Sequence, residues 1–204
     1  ACLVKQQNTL LRVDLRTGDL QQVKLPLHYN MKRRSPDCQM MVGEDDGKFF
    51  AYDINKPEAG LFPNTGGKVL DIQWLNNDRC AFITGSKTVS VFDRKKNTVE
   101  EVATLPFDCQ KITDPSLDGR YVLCNNGRAV VVVDVEKKTA ENLGIEANHI
   151  GWVSHDTLMY AREIPDMKLR GTWLRTIGSE AHRVLEHPYL VGYDSAAAVA
   201  LMRE

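Results

Sequence analysis

What most constrains the fold of this 204-residue chain is a pattern that returns about every forty residues. An apolar strand end, an Asp and a polar turn recur as Val13-Asp14-Leu15-Arg16-Thr17-Gly18, Tyr52-Asp53-Ile54-Asn55-Lys56-Pro57, Phe92-Asp93-Arg94-Lys95-Lys96-Asn97 and Val133-Asp134-Val135-Glu136-Lys137-Lys138. The Asp positions are spaced by 39, 40 and 41 residues. A further step of about forty reaches Leu174 in Trp173-Leu174-Arg175-Thr176-Ile177-Gly178, which keeps an aromatic and a turn Gly without the Asp. A fixed period of this length signals one supersecondary unit copied along the chain.

Within each period the apolar runs are short, rich in β-branched and aromatic residues, and broken by Gly, Asn, Asp and Pro, as strands and turns require. In the clearest unit Val69 to Leu75, Arg79 to Thr84, Thr88 to Phe92 and Val99 to Leu105 read as four strands. The joints Asn76-Asn77-Asp78, Gly85-Ser86-Lys87 and Lys95-Lys96-Asn97 carry residues that accept turn conformations or bond back to the backbone. An Asp closing the third strand can accept N–H groups of the following turn, which explains its recurrence without catalysis. Four short antiparallel strands per forty residues make one propeller blade. The expectation is therefore an all-β chain forming a single five-bladed β-propeller, with repeats at 1–27 plus 189–204, 28–67, 68–107, 108–147 and 148–188. Pairing of the N- and C-terminal strands closes the ring and removes exposed edges. Ala196 to Glu204 duplicates the position of Cys2 to Gln6 and suits a short helix or a strand, so a six-bladed or truncated larger propeller is the alternative, as is membership of a longer chain.

Composition narrows the partners. Lys and Arg number 26 against 27 Asp and Glu, a net charge of −1, which provides no attraction for nucleic acid or an anionic membrane. The longest charge-free apolar stretch, Ala196 to Met202, is far short of the roughly 20 residues of a spanning helix. Five Cys, at 2, 38, 80, 109 and 124, include no C-x-x-C pair and an odd total, so neither a zinc ribbon nor a complete disulfide framework is expected. Cys2, Cys38, Cys80 and Cys124 lie in apolar runs and read as buried thiols.

The joints between first and second strands read Ser35-Pro36-Asp37-Cys38, Asn76-Asn77-Asp78-Arg79, Ser116-Leu117-Asp118-Gly119-Arg120 and Ser154-His155-Asp156-Thr157. These resemble the Ser-Pro-Asp-Gly-Lys turn of TolB-like propeller repeats, and Asp14 to Gly18 resembles their Asp-Leu-x-Thr-Gly turn. No unit carries the Gly-His and Trp-Asp signature of WD-repeat propellers. The resemblance implies a rigid ring with a non-catalytic binding surface for proteins or peptides, a part found also as partner or lid of peptidases, and a periplasmic or extracellular location.

Alternating strands place the joints after first and third strands on one face and those after second and fourth strands on the other. The second face collects the longer connections: Gly43 to Gly47, Asn125 to Arg128, Glu163 to Arg170, and the links Leu27 to Arg34, Phe62 to Gly67 and Ile145 to His149. Function concentrates on loops held by a scaffold, so Tyr29, Arg33, Phe62, Phe107 and Tyr189 are the expected anchors for a protein or peptide partner. His28, His149 and His187 fall in or beside links and make a channel metal site the alternative for an enzyme or enzyme-associated propeller; otherwise no cofactor is expected. Glu44-Asp45-Asp46 lacks the spaced oxygens of a calcium loop. Gly192-Tyr193-Asp194-Ser195-Ala196 lacks the spacing of a nucleophile elbow. Trp74, Trp152 and Trp173 read as core between blades; an exposed Trp would favour a third reading, a carbohydrate-binding propeller.

Overall fold

The computed structural model describes residues 2–6, 9–23, 30–45, 48–54, 60–61, 67–113, 115–127, 129–147, 149–162, 165–186, 190–194 and 199–202. Every regular element among them is a strand. β1 (Cys2–Gln6), β2 (Thr9–Val13) and β3 (Leu20–Val23) form a three-stranded sheet. A four-stranded sheet follows from β4 (Asn30–Arg34), β5 (Met40–Asp45), β6 (Lys48–Asp53) and β7 (Gly60–Leu61). The next holds β8 (Val69–Trp74), β9 (Arg79–Thr84), β10 (Thr88–Asp93) and β11 (Thr98–Thr104). A fourth holds β12 (Lys111–Ile112), β13 (Tyr121–Asn125), β14 (Val130–Asp134) and β15 (Thr139–Asn142). The fifth is built from β16 (His149–Trp152), β17 (Thr157–Arg162), β18 (Gly171–Thr176) and β19 (His182–Leu185), and β20 (Leu190–Asp194) pairs with β21 (Val199–Met202). All pairings are antiparallel between chain neighbours, and no described helix is long and apolar enough to cross a membrane.

The sheets stack in series, and the two-residue alternation of side chains decides which neighbour each strand residue meets. In β9, Cys80 and Phe82 turn toward Met40, Val42 and Phe49 of the preceding sheet, while Ala81 and Ile83 turn toward Val122, Cys124, Val131 and Val133 of the next. Tyr121, Leu123, Val130 and Val132 face forward again, onto Trp152, Leu158 and Tyr160. A strand enclosed on both sides has no polar face, which is why Val130 to Val133 is one unbroken apolar run. Trp74 and Trp152 sit in these layers as expected, each 4% exposed, whereas Trp173 lies in a third strand and is half-buried.

The joints after first strands repeat one hydrogen-bonded design. Ser35 Oγ donates to Asp37 at 2.6 Å and accepts from the Met40 N–H at 2.9 Å; Ser116 does the same with Asp118 and Tyr121 at 2.6 and 2.9 Å, and Ser154 with Asp156 and Thr157 at 3.0 and 3.2 Å. These joints touch their neighbours along one face of the stack, where the Asp37 N–H donates to Asn77 Oδ1 at 3.0 Å.

Three sequence expectations change in detail. Residues 30–34, read as part of a link, form β4. The position opposite the first residue of the second strand is Asp53, Asp93 and Asp134 in three sheets, but in the fifth it is Thr176, not Leu174. The β17–β18 loop is longer than its counterparts, so a constant period misplaces the strand by two residues. The tail predicted as helix or strand gives β21, paired with β20. Among the described residues β1 to β3 and β20 to β21 belong to separate sheets.

Candidate functional site

In the third sheet the loops after the second and fourth strands are tied to each other. Beyond β9, Gly85 and Ser86 both take left-handed backbone angles, φ 56° and 70°, which let the hairpin turn tightly. Ser86 Oγ then donates to Asp108 at 2.7 Å, its carbonyl accepts the Cys109 N–H at 2.7 Å, and the Leu105 N–H reaches the Lys87 carbonyl at 2.7 Å. The link after β11 is thus fastened to the hairpin of its own sheet. Phe107, in that link, is half-buried against the core between the third and fourth sheets.

The longest described hairpin on this face, between β17 and β18, is internally bonded. Asp166 accepts the Lys168 N–H on its carboxylate at 2.9 Å and the Leu169 and Arg170 N–H groups on its carbonyl at 3.1 and 2.9 Å. Trp173 Nε1 donates to the Leu169 carbonyl at 3.0 Å, and Arg183 Nη1 donates to the carbonyls of Met167 and Arg170, both at 3.3 Å. The Arg162 guanidinium stacks 5.6 Å from the Trp173 ring centre. Gly171, at φ 136°, lets the chain enter β18 here, because a Cβ would stand 2.3 Å from the Leu185 carbonyl oxygen. Burial raises the Tyr160 phenol below this stack, against the lowering influence of Arg162 and Arg175. The loop therefore holds Met167, 69% exposed, and Leu169, 39% exposed, in solvent on a fixed frame.

Of the expected anchors, Arg33 and Phe107 lie among the described residues, and Tyr29, Phe62 and Tyr189 lie outside them. Arg33 is exposed but sits in β4, near the Ser35 joint and away from the longer loops. Of the three imidazoles, His149 is exposed at the start of β16, and His28 and His187 lie outside the described residues. Among the described residues no three His, Cys, Asp or Glu side chains are grouped to hold a metal. Met167 and Leu169 were missed as anchors although the loop was singled out, because composition does not reveal which loop residues lose their core contacts. The signal available was two large apolar residues inside Asp166 to Arg170, a connection long enough to carry its own hydrogen bonds.

Neither a family model nor a curated protein matches the sequence. Solved structures do resemble it. Oligogalacturonate lyase in complex with manganese superposes with a TM-score of 0.61 at 14% identity, over 94% of this chain and 63% of its own. A TolB protein, described as putative, from Agrobacterium tumefaciens gives 0.54 at 14% identity, over 88% and 74%. A chain of the mitotic checkpoint complex gives 0.57 at 11% identity, over 97% and 58%. This chain thus spans less than two thirds of the lyase and of the checkpoint chain. At such identities the likeness fixes the architecture: the fold is a β-propeller, in keeping with the TolB-like resemblance of its turns.

Proposed function

We propose that the protein is a non-catalytic interaction module that recognises a protein segment or peptide on the face bearing the longer loops. One observation carries the reading: on that face a hydrogen-bonded loop keeps Met167 and Leu169 exposed instead of folding them into the core. Holding apolar side chains in water costs solvation free energy that a partner's burial of them returns, and a frame already ordered loses little entropy on binding. Phe107 is a second anchor in this reading, and Tyr29, Phe62 and Tyr189 of the links are the further contacts it proposes, while Arg33, beside the Ser35 joint, lies away from this face. The structural relatives, a lyase, a TolB protein and a checkpoint assembly, agree with a scaffold whose role is set by its loops.

The test compares two faces. A partner recovered with the wild-type chain and then purified should bind the Met167→Ser/Leu169→Ser variant at least about 10-fold more weakly, the usual effect of losing central apolar anchors. Leu117→Ser removes a side chain that is 62% exposed in a joint of the opposite face and should leave binding unchanged. Loss of binding in the Leu117 variant with retention in the double variant would reverse the assignment of faces.

A further inference from the structure

Cys109 and Cys124 come from different parts of the chain and meet in one core. Cys109 lies in the link after β11, where its N–H is bound by the Ser86 carbonyl; Cys124 lies in β13, opposite Ile112 of β12. Both are free thiols, both are wholly buried, and both belong to the apolar layer between the third and fourth sheets. The Cys109 thiol is 2.9 Å from the carbonyl oxygen of Asn125, the residue next to Cys124, and 3.4 Å from that of Lys111. The neighbouring Cys124 thiol lowers Cys109 against the opposing effect of burial, and the neighbouring Cys109 thiol together with burial raises Cys124.

We propose that Cys109 and Cys124 are a disulfide pair, closed under oxidising conditions to staple the link after the third sheet to the inner hairpin of the fourth. The oxidant is a low-molecular-weight disulfide such as oxidised glutathione. A thiolate of the pair attacks one of its sulfurs and expels a glutathione thiolate, which takes up the released proton. The second cysteine then attacks the mixed disulfide at the protein sulfur and expels the second glutathione, which takes the second proton. Two protein thiols are oxidised and one glutathione disulfide is reduced to two thiols. Exchange needs an accessible thiolate, so the bond forms while the link is open during folding and is shielded once the core closes. The partner choice is set by packing. Cys80 points into the other layer, toward the second sheet, and Cys38 lies in the Ser35 joint, so neither competes.

The test is to refold the full chain from denaturant with and without oxidised glutathione and map unreduced peptides by mass spectrometry. The expected product is one cross-linked peptide joining Cys109 and Cys124, two hydrogens lighter than its separate halves. The oxidised protein should melt about 5–10 °C above the reduced protein, as a loop of this size implies. That difference should vanish in Cys109→Ala and in Cys124→Ala alike and persist in Cys80→Ala. Recovery of both cysteines as free thiols or as glutathione adducts after oxidative refolding, or their attachment to other cysteines, would overturn the pairing.

Discussion

The Asp that ends the third strand acts through its immediate surroundings. Asp14 Oδ1 accepts the N–H groups of Arg16 and Thr17, Asp93 those of Lys95 and Lys96, and Asp134 those of Glu136 and Lys137. Because the partners lie two and three residues on, the role was legible in sequence. What sequence could not supply is the addition at Asp134, where Arg120 in the preceding joint forms a bidentate contact through Nε and Nη2 at 3.1 and 2.7 Å, largely out of water. Burial works to raise the Asp134 carboxyl, but the Arg120 guanidinium and the two backbone N–H groups outweigh it and hold it below the usual carboxylate range. Asp134→Ala should therefore cost about 2–3 kcal/mol in urea unfolding at neutral pH, and Asp134→Asn, which keeps an acceptor for the turn, about 1 kcal/mol. A depressed folded pKa stabilises above the unfolded value and is lost as pH falls through the folded one. The gap between wild type and Asp134→Asn should accordingly be full above about pH 4 and shrink below it. An equal gap at neutral and strongly acid pH would mean that charge is not what Asp134 contributes. The same limit hid Met167, Leu169 and the Cys109–Cys124 pair: exposure and apposition depend on how neighbouring elements pack, whereas a turn bond is set within three residues.

At the scale of the element, the joints after first strands show how one local motif serves two purposes. Cys38 and Gly119 hold the same place in their joints, each directly after a Ser-x-Asp start, and both take left-handed backbone angles, φ 56° and 73°. A side chain is thus tolerated there by the turn itself. At Gly119 it is not tolerated by the neighbour, since a Cβ would lie 2.3 Å from the Leu75 carbonyl oxygen in the preceding sheet. Gly85, at φ 56° with nothing within 4 Å of an added Cβ, provides the comparison. Gly85→Ala should cost about 1 kcal/mol, the ordinary penalty of the left-handed region, and Gly119→Ala at least about 2 kcal/mol, the surplus measuring the contact between sheets. Equal costs in chemical denaturation would show that the joints do not bear on one another. The motif, and with it the joint, was readable as Ser116-Leu117-Asp118-Gly119. Its use as a spacer between sheets was not, because the atom it meets belongs to the unit before.

For the whole molecule, burial is uneven along the stack. The third strands β10 and β14 are closed in on both faces, and residues such as Val89, Val131 and Val133 are wholly buried. Leu11 and Val13, at the matching places of β2, are only half-buried. The terminal sheets also differ in what they contain. With Asp14 marking the end of a third strand, β1 to β3 are the second, third and fourth strands of a unit, while β20 and β21 read as a first and a second. The second position is then present twice, and among the described residues β1 to β3 and β20 to β21 each pair within their own sheet, with no ladder between the two. The period revealed the repeated sheet because each unit follows the same local rules. It could not reveal how the ends meet, because that depends on strands related only through the completed stack. Repeat architectures unravel from their least enclosed units, and local opening free energy follows the number of packed faces. Hydrogen exchange should therefore find the amides of Phe82, Val91, Val122 and Val132 the slowest, and those of Leu11, Arg12 and Val13 faster by at least about 10-fold, roughly 1.4 kcal/mol of opening free energy. Uniform protection from β2 through β18 would instead mean that the first sheet is covered as fully as the rest, which only a sealed ring provides.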